Sequence, residues 1–347
     1  MFLFFAFLVH EPSITMPSKA STPDQIVTRL AFGSCFNPML DRDEIFETIA
    51  NYGPDLFLMC GDNVYQEREE DDPELVQLRN AYHALANNRR FAHLRETVSL
   101  AVMWDDHDYG FNDADGSWPY KAQSEALFEH VWAIPEQDPR LGRPGIYTSM
   151  FLGEAKKMLQ IIMLDTRYFR SSLKATDEPL PGKERYLPDD DPNKTMLGAD
   201  QWAWLHEQLR QPADLRIIVS SVQVLPVGHG FECWQMLPIE RAKLLGMLAE
   251  SGDKLIVLLT GDRHFAGYYR EKRSQTTFVE LTSSALNYPI TDDRLASAKA
   301  QHEPMEINQR FFGANFGSLE MDWQNRLLKL QLRDTQGTVV REEQVHY

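Results

Sequence analysis

Seven short, nearly continuous apolar runs recur along the chain, at residues 27–32, 56–60, 99–103, 159–164, 215–219, 255–259 and 277–281. Runs of this length that lack strict alternation predict strands buried on both faces. Between them the apolar period lengthens to that of helices. In "DRDEIFETIANYG", Ile45, Phe46 and Ile49 form one stripe, with Asp41 or Asp43 placed to cap and Gly53 to stop. "DDPELVQLRNAYHALANN" predicts a helix opening on an aspartate cap, with Pro73 in its first turn. "GADQWAWLHEQLRQP" puts Trp202, Leu205 and Leu209 on one face and ends at Pro212, and "LPIERAKLLGMLAESG" runs from Pro238 to Gly252. Strand and helix in alternation predict an α/β fold with a largely parallel sheet. The tail alternates differently, as three strands with turns at Gln324 and Asn325 and at Gln336 and Gly337, which predicts an antiparallel meander.

Two segments break the pattern. Residues 171–200 carry four prolines and little periodicity, a long loop of the kind that serves as a lid or binding loop. Its acidic run, Asp189 to Asp191, is read as a solvated turn rather than a calcium site. At the other end, residues 2–9 are apolar but far short of the ~20 needed to span a bilayer. They lack the basic start of a secretory signal. Residues 1–25 are therefore read as a signal peptide or a disordered leader, and residues 26–347 as one domain. Export to the periplasm or medium is the expectation, with the cytoplasm as the alternative.

The chemistry gathers where the apolar runs stop. They are followed in turn by "GSCFNP", "GDNVYQE", "WDDHDYGFNDAD", "DTRYFR", "SSVQ" and "TGDRHF". In open α/β sheets the ligand site lies beyond the carboxyl ends of the strands, so these tips are expected to converge. Asp62, Asp106, Asp262 and Cys35 held at close range would repel one another. Bound cations turn that repulsion into affinity. Thiolate, phenolate and imidazole suit a transition metal, whereas clustered carboxylates suit calcium, magnesium or manganese.

Composition narrows the picture. The net charge of −16 with no basic patch argues against stable nucleic-acid binding. Three cysteines without a CxxC spacing exclude a disulfide framework and give no zinc motif. Small-molecule substrates are the expected partners, and the sequence leaves the oligomeric state open.

Taken together, "FGSC", "GDNVY", "WDDHDYGFND", "LDTRYFR", "LGADQWAWL", "SSVQVL" and "TGDRHF" followed by "LTSSALN" resemble the alkaline phosphatase D (PhoD-like) branch of the calcineurin-like metallophosphatases, over about residues 28 to 290. The resemblance implies a four-layer α/β/β/α sandwich of two mixed sheets. It also implies hydrolysis of phosphate esters, monoester or diester, by a hydroxide held between metal ions. Carried over by position, Asp62 resembles the bridging carboxylate. Cys35, Tyr65 and His264 match the ligands of a ferric ion. Asp106 and Asp262 would hold a second ion, Ca2+ in the best-known relatives, with Mn2+, Mg2+ or Zn2+ as alternatives. His107 fits the general acid or transition-state stabiliser, Asn112 and Arg263 fit phosphate contacts, and His229 is a further candidate for substrate binding. Two departures stand out. Gly33, Ser34 and Cys35 replace the superfamily's opening Asp-x-His, and its later metal-binding histidine is replaced by Gln223 or absent. A phosphodiesterase acting on phospholipid or other diesters, and a non-catalytic metal- or phosphate-binding module on the same fold, are the competing readings.

Overall fold

A computed structural model describes residues 14–66 and 72–347. The apolar start at residues 2–9 lies outside them, as does Asp71. From Ile14 onward the chain is docked: Met16 is buried and donates to the Val131 carbonyl, and Lys19 bridges Ser99.

The first half runs through β1 (Arg29–Gly33), α1 (Glu44–Tyr52), β2 (Leu56–Cys60), α2 (Val76–Ala86), α3 (Arg89–Thr97), β3 (Ser99–Met103), α4 (Asp106–Tyr109) and α5 (Lys121–Val131). The second runs through β4 (Thr148–Leu152), β5 (Leu159–Leu164), β6 (Lys174–Ala175), β7 (Tyr186–Leu187), α6 (Gly198–Leu209), β8 (Leu215–Ser220), α7 (Pro238–Glu250), β9 (Leu255–Thr260), β10 (Ala266–Arg273), β11 (Thr276–Ser283) and α8 (Asp292–Ala300). The tail forms β12 (Asn315–Asp322), β13 (Leu327–Asp334) and β14 (Val339–His346).

These strands build two mixed sheets. One is ordered β14-β13-β12-β1-β2-β3, parallel within β1-β2-β3 and antiparallel from β1 outward through the predicted meander. The other is ordered β10-β11-β9-β8-β5-β4, with a parallel centre and an antiparallel strand at each edge. Side chains of the second sheet alternate between two cores. Ile161, Met163, Ile217, Val219, Val257 and Leu259 join Phe32, Met59 and Leu319 of the first sheet in the main core. Ile162, Leu164, Ile218, Ile256 and Leu258 lie under Trp202 and Leu205 of α6 and Leu244 and Leu248 of α7. Burial on both faces is why these strands read as unbroken apolar runs, and the result is the α/β/β/α sandwich.

One helix start differs from expectation. Residues 72–75 form a turn, Leu75 takes a left-handed conformation (φ 53°), and α2 begins only at Val76. Asp72 still caps from a distance, its carboxylate accepting from the Gln77 N–H at 3.2 Å. Asp43 precedes α1 without capping it and instead pairs with Arg90 at 2.5 Å. The run Asp189 to Asp191 is a turn, as read, tied to Lys194 at 2.9 Å.

Candidate metal centre

The carboxyl ends of β1, β2, β3, β5, β8 and β9 meet at one rim, and two glycines let them meet closely. A Cβ on Gly61 would stand 2.6 Å from the Asp105 Cβ, and one on Gly261 would stand 2.4 Å from the Ser34 Oγ. Directly after each glycine the chain turns left-handed, at Asp62 (φ 51°) and Asp262 (φ 69°). Cys35 (φ 60°) and His264 (φ 58°) do the same. Such a conformation costs a non-glycine residue on the order of 1–2 kcal/mol. Four such residues at one rim are a concentration of strain typical of functional sites.

The strained residues present their side chains to one another. The Tyr65 hydroxyl donates to the Asp62 Oδ2 at 2.8 Å, and the Cys35 Sγ lies 3.5 Å from the same oxygen. The His264 Nε2 lies 3.4 Å from the Tyr65 hydroxyl. The Tyr288 carbonyl, 2.6 Å from the His264 Nδ1, can only accept, so the hydrogen sits on Nδ1 and the Nε2 lone pair faces the centre. A backbone carbonyl that fixes the imidazole in this way is a recurrent support for metal-binding histidines. Ligand atoms of Cys35, Asp62 and His264 lie within 4.8 Å of one another, as do those of Asp62, Asp106 and His107. Asp62 thus belongs to both groups. The His107 ring packs on Tyr65 at 4.3 Å between centroids, and the His107 backbone N–H donates to the Asp106 Oδ1 at 3.0 Å.

Behind these ligands stands a polar scaffold. Asp108 accepts from the N–H groups of Asn63 (2.9 Å) and Asp105 (3.0 Å), which fastens the tip of β2 to the tip of β3. Arg167, fully buried at the end of β5, donates to Asp105 at 2.6 Å and pairs with Glu232 at 2.7 Å. Ser221, at the end of β8, donates to the same Asp105 oxygen at 2.6 Å. Asp105 and Arg167 therefore orient neighbours. Asp113 and Glu232 were not singled out in the sequence, yet with Asp106 they form a third group of carboxylates within 4.8 Å. Asp113 also donates its N–H to the Asp106 Oδ2 at 2.6 Å.

The electrostatics are those of a crowded acidic pocket. Burial raises the Asp62 pKa well above the carboxylate range, and Asp106, Asp105 and Asp108 add to the rise. Asp262 is raised by desolvation and by Asp105. Burial and the nearby Asp62 push up both the Cys35 thiol and the Tyr65 phenol. For Asp106 burial also works upward, but His107, Arg167 and the Asp113 N–H outweigh it and hold the carboxyl low. Burial lowers His264 to about 4, so its imidazole is neutral and available as a ligand near neutral pH. A neutral imidazole with its lone pair facing inward, a thiol and a phenol that can lose their protons to solvent, and an excess of carboxylates make a donor set suited to a cation. The sulfur, phenol and imidazole side suits a transition metal, and the carboxylate side suits a harder ion.

The other expected residues divide. Asp262 is near enough to raise the Cys35 pKa, but among the described residues its carboxylate joins none of the three ligand groups. Arg263 is buried against Phe231, 4.4 Å from the ring centroid. Its Nη2 donates to Gln301 at 3.3 Å, and its Nε is buried without a partner. Asn112 is half-buried on the loop beside Asp113. His229 does not stand open to a substrate: it is buried, its Nδ1 accepts from the Phe231 N–H at 3.2 Å, and its Nε2 meets the Gln223 Oε1 at 3.1 Å. Its flanking glycines answer to packing, since a Cβ on Gly228 would fall 1.9 Å from the His302 carbonyl oxygen. Gln223 donates its amide to Thr282 at 2.9 Å and turns its Oε1 to the His229 Nε2 at 3.1 Å. A cavity of about 430 Å³ at the opposite strand ends, near Arg216 and Asp253, carries no such ligand set.

Known proteins bear on this geometry. Alkaline phosphatase D of Bacillus subtilis (strain 168) is 24% identical over 286 residues, 72% of this chain and 48% of that protein. The chain thus spans about half the length of the curated relative it matches, at 48%. The solved structure described as that of PhoD matches with a TM-score of 0.73 and 17% identity, over 95% of this chain and 70% of the other. GAP50, described as the anchor in the inner membrane complex of Plasmodium, matches with a TM-score of 0.55 and 11% identity, over 93% of this chain and 89% of its own. At these identities the two structures speak to the fold alone. The model of the PhoD-like phosphatases matches residues 30–332, a span that takes in the second sheet, the first sheet except its edge strand β14, and every ligand candidate from Cys35 to His264. On that match the chain belongs to the PhoD-like phosphatase family.

Proposed function

We propose that this chain hydrolyses phosphate esters with the help of cations held at the ends of β1, β2, β3 and β9. The observation that carries the reading is Asp62. It is buried, strained and raised in pKa, and it is shared between the Cys35–His264 group and the Asp106–His107 group. In this reading Cys35, Tyr65, Asp62 and His264 hold a ferric ion. Asp62 and Asp106, with Asp262 beside them, hold a harder ion such as calcium, with manganese, magnesium or zinc as substitutes. When bound, such ions neutralise the carboxylates, polarise the phosphoryl oxygens and lower the pKa of water.

The chain's own groups supply the rest. Arg263, pinned on Phe231 with an unpartnered Nε, offers charge and donors to the equatorial phosphoryl oxygens. Its burial makes each such hydrogen bond stronger than it would be in water. His107, half-buried over Tyr65, would give a proton to the departing alkoxide. Asn112, on the same rim, would contact a further phosphoryl oxygen. His229 contributes by holding Gln223 and the Phe231 loop in place.

The test uses purified protein, stripped and then reloaded with iron and with calcium, manganese, magnesium or zinc. It is assayed on p-nitrophenyl phosphate and on bis(p-nitrophenyl) phosphate. Turnover of at least one ester, dependent on reloading, is expected. Arg263→Gln should lower kcat/KM about ten- to hundredfold, the equivalent of losing a charge-assisted hydrogen bond. A reloaded protein that binds cations but turns over neither ester would favour the non-catalytic binding module.

A further inference from the structure

The β6–β7 hairpin, which belongs to the proline-rich segment 171–200, packs on the same 229–231 loop that carries Phe231 against Arg263. The hairpin is fastened at two points. The N–H groups of Arg185 and Tyr186 donate to the Gly230 carbonyl at 3.0 and 2.7 Å. In return the Gly230 N–H donates to the Glu184 Oε2 at 2.5 Å. Only glycine permits this contact, because a Cβ at Gly230 would stand 2.3 Å from the Lys183 Cα. The second fastening is at the site itself. The Tyr186 hydroxyl donates to the Asp113 Oδ2 at 2.6 Å, and the Arg185 Nη2 lies 2.8 Å from the same oxygen. Asp113 in turn donates its N–H to Asp106. Arg185 therefore stands one residue away from a candidate metal ligand.

Three arginines serve this cluster of acids, and they are not alike. Arg167 and Arg170 have side chains 0% and 3% exposed and are committed to Glu232 and Asp105. The Arg185 side chain is 42% exposed, and its recorded ion pair is with Asp113 through a single nitrogen. Its Cζ also lies 5.8 Å from the Tyr186 ring centroid, which leaves the side chain partly open to solvent and able to take a second partner. Without it, Asp106, Asp113 and Glu232 would repel any second negative charge on a bound ester. We infer that Arg185 is a specificity-determining residue that selects esters bearing a second anionic group, a carboxylate or another phosphate, next to the phosphoryl group to be cleaved. Tyr186 is its positioning residue, holding the hairpin and Asp113 in register.

This inference rests on the phosphatase reading above, and one experiment separates the two. Reloaded protein is assayed on p-nitrophenyl phosphate and on the same ester carrying a ring carboxylate. Wild type is expected to have the higher kcat/KM on the carboxylated ester. Arg185→Gln should lower kcat/KM on that ester about three- to tenfold, mainly through KM, as fits one half-exposed ionic hydrogen bond. The plain ester should change less than about twofold, and Arg185→Lys should keep part of the preference. Equal losses on both esters, or no loss on either, would overturn the role of Arg185 while leaving the phosphatase intact. Turnover of neither ester by wild type would overturn the phosphatase reading, and this inference with it.

Discussion

Replacing Asp62 by asparagine should move stability in opposite directions with and without cations. Asp62 is 2% exposed, and its ligand atom lies within 4.8 Å of those of Asp106 and His107. Two carboxylates at that distance repel by about 3–4 kcal/mol if the effective dielectric constant is about 20. Part of this is avoided because Asp62 keeps its proton to an unusually high pH. Relief of about 1–3 kcal/mol is therefore expected in the cation-free protein. The amide oxygen can still accept from Tyr65, so the loss of that bond does not offset the gain. In excess chelator, Asp62→Asn should melt about 2–5 °C above wild type. In excess cation the order should reverse, because wild type gains about 2.7 kcal/mol at a hundredfold excess over Kd. Differential scanning calorimetry under both conditions reads the result. A variant less stable than wild type even in chelator would refute the argument that repulsion among these acids is what a cation relieves.

Other perturbations test separate links. On an alkyl phosphate, whose alkoxide needs a proton to leave, His107→Ala should retain its metal content and lose about 10²- to 10⁴-fold in kcat, the usual contribution of a positioned proton donor; full turnover of that ester would remove that role. Gly61→Ala should destabilise by more than about 2 kcal/mol, because the φ of 98° and the 2.6 Å approach to Asp105 both resist a Cβ. Denaturant titration measures it, and wild-type stability would show that β2 and β3 do not meet as described. Glu280 is buried far from solvent, accepts from Leu225 N–H at 2.6 Å and from Thr260 at 2.8 Å, and is raised to about 7 by burial. The folded state therefore holds a proton that the unfolded chain releases near its ordinary pKa. Stability from this group is full at low pH and falls as pH rises from about 4.5 to about 7, by roughly 3 kcal/mol in all. Glu280→Gln should flatten that part of the pH–stability curve, and an unchanged slope would contradict the assignment.

The residues that could be foreseen were those governed by burial and by strand ends. All seven apolar runs form strands because each is covered on both sides, and the tips they deliver bring Cys35, Asp62, Tyr65, Asp106 and His264 together. Strands β4 and β10 escaped notice because they are edge strands: β4 is mostly half-buried, and β10 turns polar after Tyr269. Helix α3 was hidden by its charge, with only Phe91 and Leu94 buried. The start of α2 was misplaced because Asp72 and Pro73 signal a turn as readily as a helix, and the left-handed Leu75 decides between them. At the site, Glu232 lies twelve residues past the end of β8, deep in the loop to α7, and Tyr186 comes from a hairpin of two-residue strands. Neither has a periodicity to mark it, and only tertiary contact reveals them. His229 misled for a related reason: Gly228 and Gly230 suggest a ligand loop, but they answer to close packing against His302 and Lys183.

X-ray absorption at the metal edge of the iron-loaded protein addresses the central claim most directly. If Cys35, Asp62, Tyr65 and His264 share an ion, the spectrum will show one sulfur scatterer at about 2.3 Å among nitrogen and oxygen ligands near 2.0–2.1 Å. Cys35→Ser will remove the sulfur shell. Iron bound with no sulfur neighbour, or a sulfur shell that survives the substitution, would contradict it.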